Sequence, residues 1–600
     1  MAYSSGDPAL DAKIQEWLEW DRNDTTRNEI QELVDSKNAT ELHTRLMSRI
    51  EFGTAGMRSR MAAGNSMMND LTIIQATQGL TRYLMDTCPN AKSMGVVIGY
   101  DARHNSKRWS ELTSTVLVSQ GIPVYVFSQV CPTPYVPFGV THYGTACGIM
   151  ITASHNPKED NGYKVYWANG AQIIPPVDKG ISKGIRENLK PWDNSWNTDL
   201  LSSNLCKDPY AEIFQKYNDC IRDLATSKDI NKDAPLFTYT AMHGVGYHYI
   251  KEAFRVSGFK ELIAVKEQVE PDPEFPTVKY PNPEEGKGAL LLSMQTADQN
   301  NSKVILANDP DADRLAIAEK LPNGEWKIFT GNEIGALLGC WCWETFKQQH
   351  PEVPASDVYM LASTVSSKIL QSIGSVEGFN FVETLTGFKW MGNKSVDLMK
   401  EGKTVLFAFE EAIGFMVGTK VLDKDGISAA VTAAELVFQL HRSGSSLNQQ
   451  LERIYEKYGH HLSNNSYFIC HDKKVIKSMF DHLRNFNGQG KYPTSCGPYK
   501  IRHVRDLTGA GFDSSKPGNT PDLPTSSSQM ITFTFENGCV STLRTSGTEP
   551  KIKYYTEHCP DKSTGMDRNE ALRELNDIVD NIITHFFQPE KRGLQPRPAE

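Results

Sequence analysis

Three times along this chain an apolar, strand-length run empties directly into a loop of charged or hydroxyl side chains: Gly148 to Thr152 ahead of SHNP, Lys303 to Ala307 ahead of NDPDADR, and Thr404 to Phe409 ahead of EEAIG. Short aliphatic runs bounded by turn residues read as buried strands. A similar alternation precedes each. In the first round Gly95 to Asp101 (GVVIGYD) reads as a strand, Ser106 to Gln120 carries helical periodicity, and Ile122 to Ser128 returns as a strand. The second runs from Leu236 to Gly244 through a helix starting near Tyr247, a strand at Glu261 to Lys266 and a helix from Glu284 to Ala297. The third has a strand at Val358 to Ser363, a helix from Ser366 to Ile373, a strand at Phe379 to Thr384 and a helix near Ser395. Strands alternating with helices build largely parallel, helix-covered sheets. Ligands of such sheets sit beyond the C-terminal strand ends, where this chain puts its three polar loops.

The remainder follows a different period. MITFTF (Met530 to Phe535), a turn at Asn537-Gly538 and Val540 to Arg544 predict an antiparallel hairpin, followed by a helix ending near Phe587, so this end reads as a smaller α+β domain. Within it, the polar, proline-rich stretch from Asp513 to Ser528 reads as an exposed loop. A charged region of helices precedes the first round. A chain of 600 residues exceeds what one core organises. The expected division is α/β domains over 1–205, 206–328 and 329–462 and the α+β domain over 463–600.

A net charge of −9 without any long basic tract gives no sustained attraction to nucleic acid or anionic lipid, so neither partner is expected and a phosphate ligand must be met by local cations. The 11 cysteines are scattered, with Cys340 and Cys342 the nearest pair, and make neither a disulfide framework nor a zinc spacing. A reducing, cytoplasmic setting is expected. The opening MAYSSGDPALDAKIQEW holds no apolar segment of signal-peptide length, and the run from Ala336 to Trp343 is too short to span a bilayer.

Each polar loop admits a chemical and a plain reading. In TASHNPKEDNGYKVY, Ser154 leaves a strand where its hydroxyl can be presented to a ligand, and Asn156-Pro157 turns the chain away; a turn-capping serine fits the same four residues. No Gly-x-Ser-x-Gly surrounds it, so a hydrolase elbow is not supported. Asp309, Asp311 and Asp313 alternate beyond an apolar strand, so a curled loop can bring their carboxylates onto one hard divalent cation; the plain reading is a solvated acidic turn. An EF-hand is excluded because its sixth position holds Arg314 and its twelfth Lys320. RTSGTEPKIKYY joins the Arg544 guanidinium to hydroxyls, a glycine and Lys553, a set able to hold phosphate, and reads equally as a Ser-Gly turn with a basic rim. Gly244-Val245-Gly246 fails as a dinucleotide fingerprint, since Tyr249 stands where glycine or alanine is required. His155 and His243 beside turns receive no proton-transfer role.

Taken in this order, EFGTAGMR, TASHNP, DPDADR, ETLTGFKWMGN, FEEAIG and RTSGTEP resemble the motifs of the α-D-phosphohexomutase superfamily over nearly the full chain. FAFEEAIGF, VLDKDGISAA and EPKIKYY resemble its phosphopentomutase/phosphoglucomutase-2 branch. The resemblance implies a four-domain, heart-shaped α/β enzyme with three related α/β domains and a smaller C-terminal α+β domain. It implies that Ser154 carries the phosphoryl group and that Asp309, Asp311 and Asp313 hold one Mg²⁺ together with the Ser154 phosphate. Arg58 and Lys164 correspond to charge-stabilising or proton-transfer positions, Lys164 being the leading base, and Arg314 lies beside the metal loop. Thr386, Gly387, Lys389 and Glu410 match sugar-recognition or catalytic segments. Arg544, Ser546, Gly547, Thr548 and Lys553 match a clamp for the distal phosphate. A sugar bisphosphate such as glucose 1,6-bisphosphate is the implied activator. A monomer or weak dimer is expected, and no protein partner is identified.

The implied reaction interconverts sugar 1-phosphates with ribose 5-phosphate, deoxyribose 5-phosphate or glucose 6-phosphate through a phosphoserine and a sugar bisphosphate. One departure bears on the sugar. Many hexose mutases resemble Glu-x-Ser where this chain has Glu410-Glu411-Ala412, and losing that hydroxyl removes a hydrogen bond to a sugar, which tilts the expectation toward pentoses. The same serine and metal also suit a glucose 1,6-bisphosphate synthase fed by 1,3-bisphosphoglycerate. A magnesium phosphatase with Asp309 as nucleophile leaves TASHNP and the clamp unexplained, and a non-catalytic binding protein is opposed by the intact Ser154, aspartates and clamp.

Overall fold

The computed structural model describes residues 5–226, 233–546 and 550–597. The chain forms two compact units, one of residues 1–334, 388–408 and 412–446, the other of residues 335–387, 409–411 and 447–600. Among the described residues no helix is long and apolar enough to cross a membrane.

The first unit opens with the helices Pro8–Trp20, Asp24–Asp35 and Ala39–Leu46, started by the side-chain caps Asp7, Asn23 and Asn38. Their apolar faces close on one another through Leu10, Ile14, Trp17, Ile30, Val34 and Leu42. A six-stranded sheet follows in the order Met57–Arg60, Asp160–Trp167, Cys147–Ile151, Val96–Tyr100, Val124–Val126, Cys206–Lys207. The last four strands are parallel, as the alternation predicts, and the helix Ser106–Ser119 matches the predicted one. The helix Tyr135–Tyr143, which the sequence reading passed over, seats close to the sheet because Gly148 has no side chain: a Cβ there would lie 2.6 Å from Val140 Cγ2 and 2.8 Å from Val136 Cγ1.

Unforeseen too is the strand Asp160–Trp167, which returns antiparallel beside Cys147–Ile151 with Lys164 opposite Met150. The second sheet repeats the device. In the order Trp326–Ile328, Ala316–Lys320, Val304–Ala307, Phe237–Thr240, Ile263–Ala264, the last three strands are parallel and Ala316–Lys320 returns antiparallel to Val304–Ala307. In both sheets the polar loop is therefore the bend between a parallel strand and its antiparallel return. The strand predicted over Leu236 to Gly244 stops at Thr240, because Met242 and His243 turn left-handed at φ 48° and 60°.

In the second unit Val358–Ser363 pairs in parallel with Asn380–Thr384. The helix predicted from Ser366 begins at Ile369, the Ser366 hydroxyl being engaged with Ser363 and Glu411. Met530–Phe535 and Cys539–Thr545 form the predicted hairpin, with Gly538 left-handed at its turn. They lie in an antiparallel sheet that continues through Lys551–His558 to Leu462–Ile469. The helices Lys473–Arg484 and Arg568–Ile582 cover it with Met479, Phe480, Leu575 and Ile578. Of the stretch Asp513 to Ser528 predicted as an exposed loop, residues 514–528 are largely exposed, while Asp513 is buried in the short strand Phe512–Asp513.

Candidate active site

The serine loop is built around a strained residue. Ser154 takes φ 54°, a left-handed conformation that costs an L-residue roughly 1–2 kcal/mol. Its N–H donates to Thr152 Oγ1 at 2.8 Å. The buried Arg103 guanidinium holds the rest, donating to the carbonyls of Ser154 and Asn156 at 2.6 Å each, Pro157 at 2.8 Å and Asp160 at 3.2 Å. Its planar fork suits several carbonyls at once, and Asp101 at 3.4 Å balances its charge.

The sequence reading expects an exposed Ser154; the structure leaves it 3% exposed. The left-handed turn carries the hydroxyl inward, where it donates to Asp309 Oδ2 at 2.8 Å. Asp309 opens the acidic loop, which curls at Ala312 (φ 54°), the Arg314 N–H closing on Asp309 Oδ1 at 3.0 Å. The Asp309, Asp311 and Asp313 side chains are buried, with one ligand atom of each within 4.8 Å of the others. That excludes the solvated acidic turn.

Three buried carboxylates together repel and lose hydration. Lys164, delivered by the antiparallel return strand, sits 2.8 Å from Asp311 and 3.3 Å from Asp313. Lys424 lies 3.3 Å from Asp313, and Arg314 Nε 4.0 Å from Asp309 and 3.9 Å from Asp313. Burial and then the charges of Asp311 and Asp313 push Asp309 well above the usual carboxylate range. Burial also opposes ionisation of Asp311, but the Lys164 ammonium and the Thr133 hydroxyl, 2.6 Å away, hold it well below that range. Burial pulls Lys164 down, and Asp311 and Asp313 outweigh it, leaving a firmly protonated ammonium.

Asp311 Oδ1 and Asp313 Oδ1 are buried without a hydrogen-bond partner among the described residues. Orphaned carboxylate oxygens in an all-oxygen donor set are what a small hard cation neutralises, so the loop fits Mg²⁺.

Arg58 donates to Asn156 Oδ1 at 2.9 Å, beside the serine, and Lys389 donates to the Thr54 hydroxyl of EFGTAGMR. Gly244 belongs to packing: a Cβ there would lie 2.3 Å from Pro310 Cα, so the GVG turn exists to let the acidic loop pass.

The other predicted residues lie in the second unit. Thr386 and Gly387, the latter at φ 99°, follow Glu383, which Arg505 at 2.6 Å and Lys368 at 3.1 Å anchor. Burial would raise Glu383, and Lys368 and Arg505 bring it down to about 2. Glu410 ends the strand Thr404–Glu410. Arg544 and Lys553 face each other across paired strands, and the Ser546 N–H donates to the Lys551 carbonyl at 2.9 Å. Gly547 and Thr548 lie outside the described residues.

Sequence reasoning missed Arg103, Thr133 and Lys424, and set His155 aside. The His155 Nδ1 lies 3.2 Å from Ser154 Oγ, and burial together with Arg314 and Arg58 keeps the ring neutral. Arg103 carried one readable signal, a cation just beyond the C-terminal end of a predicted strand. Its replacement by Met is expected to cost about 3–5 kcal/mol, because the Asp101 carboxylate stays buried without its partner. Denaturant unfolding measures this, and an unchanged midpoint would refute the anchoring role.

Comparison with known proteins matches residues 49–191, 215–323 and 330–458 to α/β/α domains I, II and III of phosphoglucomutase/phosphomannomutase. The chain is 53% identical to phosphopentomutase of Homo sapiens, over 98% of either chain. It is 51% identical to glucose 1,6-bisphosphate synthase of the same organism, over 99% of this chain and 96% of the other. Among solved structures, parafusin, a phosphoglucomutase from Paramecium, matches with a TM-score of 0.65 at 17% identity, covering 90% of this chain and 96% of that one.

Proposed function

The chain belongs to the α-D-phosphohexomutase superfamily and is a phosphosugar mutase, and from that premise we propose that it interconverts ribose 1-phosphate or deoxyribose 1-phosphate with the 5-phosphate, and glucose 1-phosphate with glucose 6-phosphate. The observation that carries this reading is the Ser154 hydroxyl, 2.8 Å from Asp309 in a buried acidic loop flanked by Lys164, Lys424 and Arg314. Domains over 1–205, 206–328, 329–462 and 463–600 are part of the proposal, as is a cytoplasmic setting, in keeping with eleven free cysteines.

Ser154 carries the phosphoryl group. A free hydroxyl of the sugar monophosphate attacks the phosphorus, the Oγ–P bond breaks, and a sugar bisphosphate forms. The bisphosphate reorients and returns its other phosphoryl group to Ser154, so the product is the isomeric monophosphate. Each transfer frees one proton at the attacking oxygen and requires one at the departing oxygen. Lys164, stored as an ammonium, gives a proton to Oγ and takes the substrate's. Arg58 and Arg314 offset the charge on the phosphoryl oxygens. Asp309, Asp311 and Asp313, with the Ser154 phosphate, would hold Mg²⁺, which would supply further charge neutralisation there. Thr386, Gly387, Lys389 and Glu410 are assigned to the sugar, and Arg544, Ser546, Gly547, Thr548 and Lys553 to the non-reacting phosphate, whose binding energy orients the reacting end. A sugar bisphosphate primes Ser154.

The test is kcat/KM for ribose 1-phosphate, deoxyribose 1-phosphate and glucose 1-phosphate in one assay with Mg²⁺ and catalytic glucose 1,6-bisphosphate. Pentose phosphates are expected to win, Ala412 lacking the hydroxyl of many hexose mutases; preference for glucose 1-phosphate would overturn the pentose assignment. A second reading rests on the 51% identity to a glucose 1,6-bisphosphate synthase. Accumulation of glucose 1,6-bisphosphate that depends on 1,3-bisphosphoglycerate, with poor isomerisation, would favour it.

A further inference from the structure

We propose that His461, Glu557 and Cys559 form a second metal site, for a zinc-class divalent cation, within the second unit. The residues are far apart in sequence and meet through strand pairing. Leu462–Ile469 runs antiparallel to Lys551–His558, with Leu462 opposite His558 and Ser463 opposite Glu557. One step beyond, the same register sets His461 opposite Cys559. Residues two apart on a strand share a face, so Glu557 and Cys559 project to the side on which His461 meets them.

The convergence is on one ring nitrogen. His461 Nδ1 lies 3.0 Å from Cys559 Sγ and 3.3 Å from Glu557 Oε1, and the three ligand atoms are within 4.8 Å of one another. Nε2 is already taken, by the Ser372 hydroxyl at 2.9 Å. A single Nδ1 carries one proton or one lone pair, so it cannot serve both neighbours as hydrogen-bond partners. The consequence is visible: Glu557 Oε1 is buried and accepts no hydrogen bond among the described residues, while Oε2 takes the Lys368 N–H at 2.9 Å. A buried carboxylate oxygen whose nearest polar neighbour is an imidazole nitrogen at 3.3 Å, without a hydrogen bond, is costly. A cation between the three atoms would satisfy all of them.

The donor set selects its class. Thiolate, imidazole and carboxylate together suit Zn²⁺, whereas the all-oxygen aspartate loop suits Mg²⁺. Bonds of about 2.0–2.3 Å at tetrahedral angles separate nitrogen from oxygen by about 3.3 Å and nitrogen from sulfur by about 3.6 Å. The first matches the structure, and the second needs the thiol to move by about half an ångström. Ser372 and the Lys368 N–H orient the imidazole and the carboxylate from outside, as the outer partners of metal ligands do. Bound metal would pin the strand pair to the start of the helix Ile369–Glu377, through Glu557 at Lys368 and His461 at Ser372.

The experiment titrates full-length, chelator-stripped protein with Co²⁺ in saturating Mg²⁺, so that the aspartate loop does not report. One equivalent is expected to raise a thiolate-to-cobalt charge-transfer band that Zn²⁺ abolishes. Cys559→Ser is expected to lose the band, and Ser372→Ala, which keeps every ligand, to bind about 10–100-fold more weakly. Absence of the band in the parent protein under excess Co²⁺ would overturn the proposal and leave a thiol–imidazole pair. A band that persists in folded Cys559→Ser would overturn it equally, placing the metal on other cysteines.

Discussion

Ser154→Ala is expected to lose phosphosugar interconversion by at least about 10⁴-fold in kcat while unfolding at the temperature of the parent. The two results separate because the serine's structural and chemical roles use different atoms. The left-handed turn at φ 54° is held by backbone groups, the N–H on Thr152 and the carbonyl on Arg103. Alanine pays no more than serine for that conformation, since both carry a Cβ. Only Oγ is lost, and with it the atom proposed to take and give the phosphoryl group. Asp309 loses one hydrogen-bond donor, a modest effect because the Arg314 N–H remains on its other oxygen. Turnover within tenfold of the parent in the purified variant would remove Ser154 from the mechanism. Mass spectrometry adds an independent readout: phosphate on the Ser154 peptide of the parent after incubation with sugar bisphosphate, and none on the variant.

Asp309→Asn is the second large effect, and here activity and stability are expected to move apart. Burial and two neighbouring carboxylates push Asp309 well above the usual carboxylate range, so in metal-free protein the site favours its neutral acid more than water does. Asparagine imitates that form in shape and charge: its oxygen can keep the Arg314 N–H, and its amide can donate to Ser154 Oγ. The metal-free variant should therefore be at least as stable as the parent.

The pH dependence has a definite sign. A carboxyl whose folded pKa is raised binds more protons folded than unfolded, so metal-free parent stability falls as pH rises through and above the ordinary carboxylate range. Asparagine removes that contribution. Mg²⁺ reverses the comparison, because a cation that binds only the folded state stabilises it by mass action. The parent is expected to gain thermal stability on adding Mg²⁺ and the variant to gain little. Losing several kcal/mol of charge neutralisation corresponds to about a 10³-fold fall in kcat. Scanning calorimetry with and without Mg²⁺ measures the first effect, and a full Mg²⁺ response in the variant would refute Asp309 as a ligand.

Local pattern carried the parts of this protein that depend on local physics. Continuous apolar runs placed the parallel strands, which are buried on both faces, whereas period 3.6 placed the helix Ser106–Ser119 and period two the hairpin Met530–Phe535 with Cys539–Thr545, because burying one face imposes that period on the residues themselves. The serine and aspartate loops were legible because polar residues beyond a buried strand have no role in its core. The sequence also determined the ingredients of the acidic loop, three carboxylates and the arginine that follows them.

What surrounds those ingredients was decided only in three dimensions. Lys164 reaches the aspartates because Asp160–Trp167 returns antiparallel in a register that sets it opposite Met150. Lys424 comes from the turn before the helix Gly426–Arg442, and Arg103 from the loop after another strand. His461 and Cys559 meet through strand register alone. None of these contacts leaves a period or a spacing, since a long-range pair is fixed by how strands register and pack. Even the burial of Ser154 followed this rule: its hydroxyl turns inward because the acidic loop of the second sheet lies 2.8 Å away to receive it.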